Sequence, residues 1–226
     1  VDTIIGLISV PVLAEAIREA EDRTGREIIV ISTPHFTVTK RTPFDGFDRD
    51  EVERVLDSEA KLGTSICLPH SCVVDQMVDR ATREIRQMAP LVKAIRDRGM
   101  SPGLSTHMPE SIIYADETDL DVDTYISIFN AMGFLMSIEV DWVASIFHNA
   151  RKPVLTIKPM AAGQIRPLQG LTFSWNAIRD QDMVAVGAMS PAEAQELVDL
   201  SLRILEHRHP DVALQETRSK SAVKGS

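Results

Sequence analysis

Short apolar runs alternating with longer amphipathic segments along a 226-residue chain predict an α/β fold with a parallel sheet, since each run is followed by a helical stretch before the next begins. Two further observations select a TIM barrel, (β/α)8, within that class. The length lies close to the roughly 250 residues such a barrel takes. No GxGxxG turn follows an early strand, as a doubly wound dinucleotide-binding sheet would require. The chain starts at Val1 rather than a methionine, so the expected form is a complete barrel or a near-complete one with its N-terminal part missing. Residues 1–209 are read as one barrel domain and 210–226 as a flexible C-terminal tail.

The elements follow in order. PVLAEAIREAEDRTG (11–25) has helical spacing and a stop at Gly25, and leads into the strand REIIVIST (26–33). RDEVERVLDSEAKLG (49–63) repeats the pattern before TSICLPH, with a strand over 64–69. Residues 73–98 read as a long helix broken near Pro90, whose ring lacks the amide a helix interior needs. A strand is expected over 102–106, and the β-branched and aromatic content of 123–130 suits another. Helical spacing returns at 139–152, the buried strand PVLTIKP follows with its core at 153–158, and 171–180 reads as helical. A short strand at 183–187 precedes a final helix over 190–207, where Ser190 can cap, Pro191 opens the first turn and Glu193 stands three residues past the cap. DTIIGLIS (2–9) is a candidate seventh strand.

Composition narrows the partners. With 24 Lys plus Arg against 33 Asp plus Glu, and no basic block interleaved with aromatics, nucleic acid is not expected. No apolar run approaches the roughly 20 residues of a membrane span, and the start lacks the pattern of a signal peptide, so neither a membrane nor secretion is expected and a cytoplasmic location is. Cys67 and Cys72, five apart with no second pair, form neither a disulfide framework nor a zinc-ribbon spacing. A small-molecule substrate is the expected partner, and a homo-oligomer is allowed for through Phe44 and Phe47 in the long loop 32–51, which also reads as a lid.

Four stretches of the C-terminal half, from about Ile95 to Leu205, carry a resemblance: RDRGMSPGLSTHMPE, YISIFNAMG, KPVLTIKPMAAG and VAVGAMSPAEAQELVDLSL. They resemble the aldo-keto reductases. The resemblance implies a TIM barrel that reduces a carbonyl with NADPH. On it, Ser105 and Asn130 are candidate cofactor-binding residues, joined by Arg166, whose charge also suits an acidic substrate. The family's Asp, Tyr, Lys and His tetrad is not evident: the two tyrosines, Tyr114 and Tyr125, fall late, and the early Lys40 and Lys61 are not at strand ends.

The residues themselves point elsewhere. His35, His70 and His107 each fall just beyond an apolar strand, and in a barrel such ends share one edge where active sites lie. Three imidazoles with a carboxylate can hold zinc, iron or manganese with a position left open, which lowers the pKa of bound water and suits a hydrolase or lyase. The carboxylate candidates are Glu139, Asp141 and Glu110, and Lys158 is placed to stabilise an anion or form a Schiff base. The reading is a metal-dependent barrel enzyme; the alternatives are an aldo-keto-reductase-like oxidoreductase with altered groups and a barrel that binds a metabolite without turnover. His148 is read as structural or surface-exposed, His207 and His209 as caps or solvent-exposed groups at the end of the last helix, and Trp142 and Trp175 as packing on the barrel exterior.

Overall fold

A computed structural model describes residues 2–6, 8–38 and 46–209, so Lys40, Arg41, Phe44 and the tail 210–226 lie outside the described residues. The fold is α/β and of the TIM-barrel class, with seven strands in one sheet and eight α-helices among the described residues. The chain divides into two compact units, Val1–Ile126 and Ser127–Ser226.

The first unit runs β1 (Thr3–Ile5), α1 (Pro11–Thr24), β2 (Ile29–Ser32), α2 (Arg49–Lys61), β3 (Ile66–Cys67), α3 (Ser71–Met77), β4 (Val78–Asp79), β5 (Glu84–Ile85), α4 (Met88–Arg96), β6 (Ser101–Thr106) and α5 (Glu110–Glu117). β1 pairs with β2, β2 with β3 and β3 with β6, all parallel, with Ser32 opposite Cys67 and Cys67 opposite Pro102. Gly25 ends α1 as expected, in a left-handed conformation that returns its amide to Glu21 O. Ile8, Ala14, Ile17 and Val30 form the core between α1 and β2. The next element, β7 (Thr124–Ile128), begins in this unit. A Cβ on Gly103 would stand 2.6 Å from both the Thr124 carbonyl oxygen and Leu68 Cδ2, so only glycine lets β6 lie this close to its neighbours.

The long helix expected over 73–98 is three elements. α3 stops at Met77, an antiparallel pair joins β4 to β5, and α4 starts afresh at Met88. The Asp79 carboxylate accepts the amides of Ala81 and Thr82, a local bond that competes with the helical ladder, and Arg83 and Gln87 take left-handed backbone. Pro90 then lies in the first turn of α4, where its missing amide costs nothing. Helix α5 has no counterpart in the elements read from sequence.

The second unit holds the end of β7, α6 (Val140–Asn149), β8 (Val154–Ile157), α7 (Pro167–Ala177), β9 (Met183–Val184) and α8 (Pro191–Leu205). β8 and β9 are parallel. α7 starts four residues before the expected 171, with Pro167 at its first position. The Ser190 hydroxyl caps α8 by accepting the Glu193 amide, as predicted, and Glu193 reaches back to the Met189 amide. Trp175 packs with Leu171, Leu197 and Leu200, whereas Trp142 is 65% exposed, contrary to the expectation that both pack.

One buried polar knot fixes the start of β8. Asp182 accepts the Val154 amide and two bonds from the Arg179 guanidinium, which also donates to the carbonyls of Ala150 and Lys152. The Asp182 side chain has no exposure. Truncating one partner of such a pair strands the other charge, so Asp182→Ala should cost about 3–5 kcal/mol in urea unfolding, far more than an alanine at the exposed Asp199.

Candidate active site

Three bonds and one helix start build the site in the first unit. β2, β3 and β6 are parallel neighbours, so their C-terminal ends share an edge. Beyond the strands, the Leu68 amide donates to Ser32 O, the His70 amide to Pro34 O at 3.0 Å, and the Ser105 amide to Pro69 O at 3.3 Å. The second of these holds the residue before His35 against His70. The imidazole rings consequently stack, centroids 4.1 Å apart and planes 22° from parallel. The loop carrying His35 is further held where Glu51 accepts both the amide and hydroxyl of Thr37, and where the buried Phe36 meets Phe47 edge to face. Phe47 is thus packed within its own chain.

His70 is the N-cap of α3, and its Nδ1 accepts the Cys72 amide at 3.2 Å. Because a backbone amide can only donate, that nitrogen carries no proton and the neutral ring bears it on Nε2. The Cys72 sulfur lies 3.1 Å from His35 Nδ1. Among the described residues, His35, His70 and Cys72 are the group whose ligand atoms all lie within 4.8 Å of one another. His107, the third histidine expected there, is not of that group. Its amide instead donates to both oxygens of Asp75, at 3.2 Å each.

Asp75 is the residue that sequence reasoning missed. It sits on α3, and besides the His107 amide it accepts the Thr106 hydroxyl at 2.6 Å. Burial raises its carboxyl above the ordinary aspartate value, opposed by those hydrogen bonds. Asp75 in turn adds to partial desolvation in raising the Cys72 thiol, so without a nearby positive charge Cys72 is a thiol rather than a thiolate. Glu110 accepts two hydrogen bonds from the Arg80 guanidinium, and its charge adds to the rise of Asp75.

Ser105 is buried in β6. In the second unit, Asn130 is fully buried and uses its amide locally, accepting the amides of Met132 and Phe134 and donating to Phe134 O. Glu139 is the N-cap of α6 but its side chain makes no capping bond, and Asp141 is exposed in the first turn. Lys158 follows β8 with φ 61°, a conformation uncommon outside glycine, and half-buried Arg166 precedes Pro167 at the start of α7. A cleft of about 670 Å³ lined by Arg86, Lys93, Asp119 and Asp121 lies at the segment leading into β7, where strands begin rather than end.

No protein-family model matches the sequence and no curated protein matches it. Solved structures do. A protein provisionally described as an aldo-keto reductase from Pseudomonas aeruginosa aligns with a TM-score of 0.65 and 17% identity over 91% of this chain and 76% of its own. Orotidine 5'-monophosphate decarboxylase from Methanocaldococcus jannaschii aligns with a TM-score of 0.53 and 17% identity over 88% and 86%. A dihydrodipicolinate synthase family protein from Coccidioides immitis gives 0.50 and 15% over 75% and 56%. Likeness at such identity shows the fold alone: this is a TIM-barrel chain. No described helix is long and apolar enough to cross a membrane.

The two cysteines should separate chemically. Cys67 is fully buried, and burial with the nearby Glu59 raises its thiol far above the usual value, whereas Cys72 is exposed. Iodoacetamide on the native chain should label Cys72 alone, read by peptide mass spectrometry, with Cys67 labelled only after unfolding.

Proposed function

We propose that the chain is a TIM-barrel enzyme acting on a small molecule at the edge where β2, β3 and β6 end. The observation that carries this reading is the meeting of His35, His70 and Cys72 at the strand ends, the edge where barrels of this class keep their chemistry. The aldo-keto-reductase likeness, with a TM-score of 0.65 over 91% of the chain, favours reduction of a carbonyl with NADPH. Such a reaction would use altered groups. Tyr114 and Tyr125 are buried, and the Tyr125 hydroxyl donates to Asp116, so neither is offered as the proton donor. Asp75, a carboxyl held toward its protonated form beside the cluster, is assigned that part. The His70 Nε2 proton suits a developing oxyanion.

A second reading, metal-assisted hydrolysis or lysis, is favoured by the donor set of the same cluster.

NADPH titration followed by fluorescence, beside elemental analysis of the untagged chain, separates the two. The reductase reading expects saturable NADPH binding, on the order of 1 µM–1 mM, and a carbonyl-reductase kcat that Asp75→Asn lowers by about 100-fold or more. Absence of NADPH binding, with one equivalent of metal present, transfers the assignment to the hydrolytic reading; absence of both sinks the enzyme reading at this edge.

A further inference from the structure

We infer that His35, His70 and Cys72 form a binding site for one thiophilic divalent cation of the zinc class, with Cys72 in the position the histidine spacing assigns to His107. The inference deepens the enzyme reading by naming what occupies that edge, and rests on it only for catalytic consequence.

The donor types come first. Two imidazoles and a sulfur select zinc, cobalt or copper, whereas magnesium and calcium take oxygen ligands. Geometry comes next. Ligand bonds of about 2.0–2.3 Å in a tetrahedron put neighbouring donor atoms about 3.3–3.7 Å apart. The Cys72 sulfur and His35 Nδ1 stand at 3.1 Å, and no pair in the trio exceeds 4.8 Å. Closing on an ion therefore needs rotation of side chains and no movement of strands. The backbone is already set, because the His70 amide bonded to Pro34 O keeps the two loops together whether or not an ion is present. His35 and Cys72 are exposed and His70 half-buried, which leaves a fourth position facing solvent, the arrangement of a reactive rather than a structural zinc.

His70 meets the ion through one of two nitrogens. Nε2 bears the proton in the tautomer set by the Cys72 amide, so ligation through Nδ1 exchanges that one capping bond for a metal bond. Cys72 gives up its thiol proton on binding, so affinity rises with pH.

Cobalt(II) is the probe, titrated into the full, untagged and chelator-treated chain with neither substrate nor NADPH added. One equivalent should bind with a thiolate-to-cobalt charge-transfer band that zinc abolishes by displacement. Cys72→Ser should remove the band, His35→Ala should weaken binding at least 10-fold, and His107→Ala should leave both band and affinity unchanged, with circular dichroism reporting that each variant folds. Failure to bind cobalt overturns the inference. So does a band that survives Cys72→Ser, or one lost in a folded His107→Ala variant. An overturned metal site removes the metal-assisted reading but leaves the reductase reading, which stands or falls on the separate NADPH and turnover measurements.

Discussion

Parallel pairing of β2, β3 and β6 is the constraint on which the site depends. The ladder is short, with only Ile66 and Cys67 in the middle strand, yet it continues past the strands through the amides of Leu68, His70 and Ser105. These are main-chain bonds, so they position the loops whatever the side chains are. Gly103 admits the next strand at a separation that any Cβ would prevent. The sheet thereby fixes where His35 and His70 can be before either side chain makes a contact.

Electrostatics at the edge follow from that placement. Arg80 satisfies Glu110, leaving Asp75 as the carboxylate described close to both Cys72 and His107. Burial raises the Asp75 carboxyl and prevails over the Thr106 hydroxyl, the His107 amide and the His107 charge, all of which favour the anion. A carboxyl balanced in this way suits proton transfer better than one clamped by arginine. Cys72, raised by partial burial and then by the same carboxylate, is suited to a nucleophile's part only if positive charge arrives, from an imidazolium or a metal ion.

Much of this was legible in the sequence. Strand and helix alternation yielded the barrel class because period and length are local properties, and His35 and His70 were identifiable because each follows an apolar run directly. Asp75 was not, since a carboxylate within an expected helix reads as a solvated face, and its partners Thr106 and His107 lie more than thirty residues on. The false helix over 73–98 has a related cause: helical spacing held, but the Asp79 turn and left-handed Arg83 and Gln87 broke it. Asn130 was named through the aldo-keto reductase resemblance; that its amide holds the following turn is a local bond the sequence pattern does not show.

The two chemistries proposed for this edge make different demands on one ring. In the tautomer that caps α3, His70 carries its proton on Nε2 and is a hydrogen-bond donor, as stabilising an oxyanion requires. As a metal ligand the same ring must turn a lone pair to the ion, which through Nδ1 means releasing the Cys72 amide while Nε2 keeps its proton, and through Nε2 means moving that proton to Nδ1, which releases the amide as well. Capping α3 and ligating an ion are therefore exclusive states of His70. The amide of Cys72 reports which state is occupied, because that hydrogen bond exists in the first and is given up when Nδ1 coordinates. A seven-residue helix is well suited to such an exchange: few bonds hold its first turn, and releasing one leaves the ladder of β2, β3 and β6 untouched.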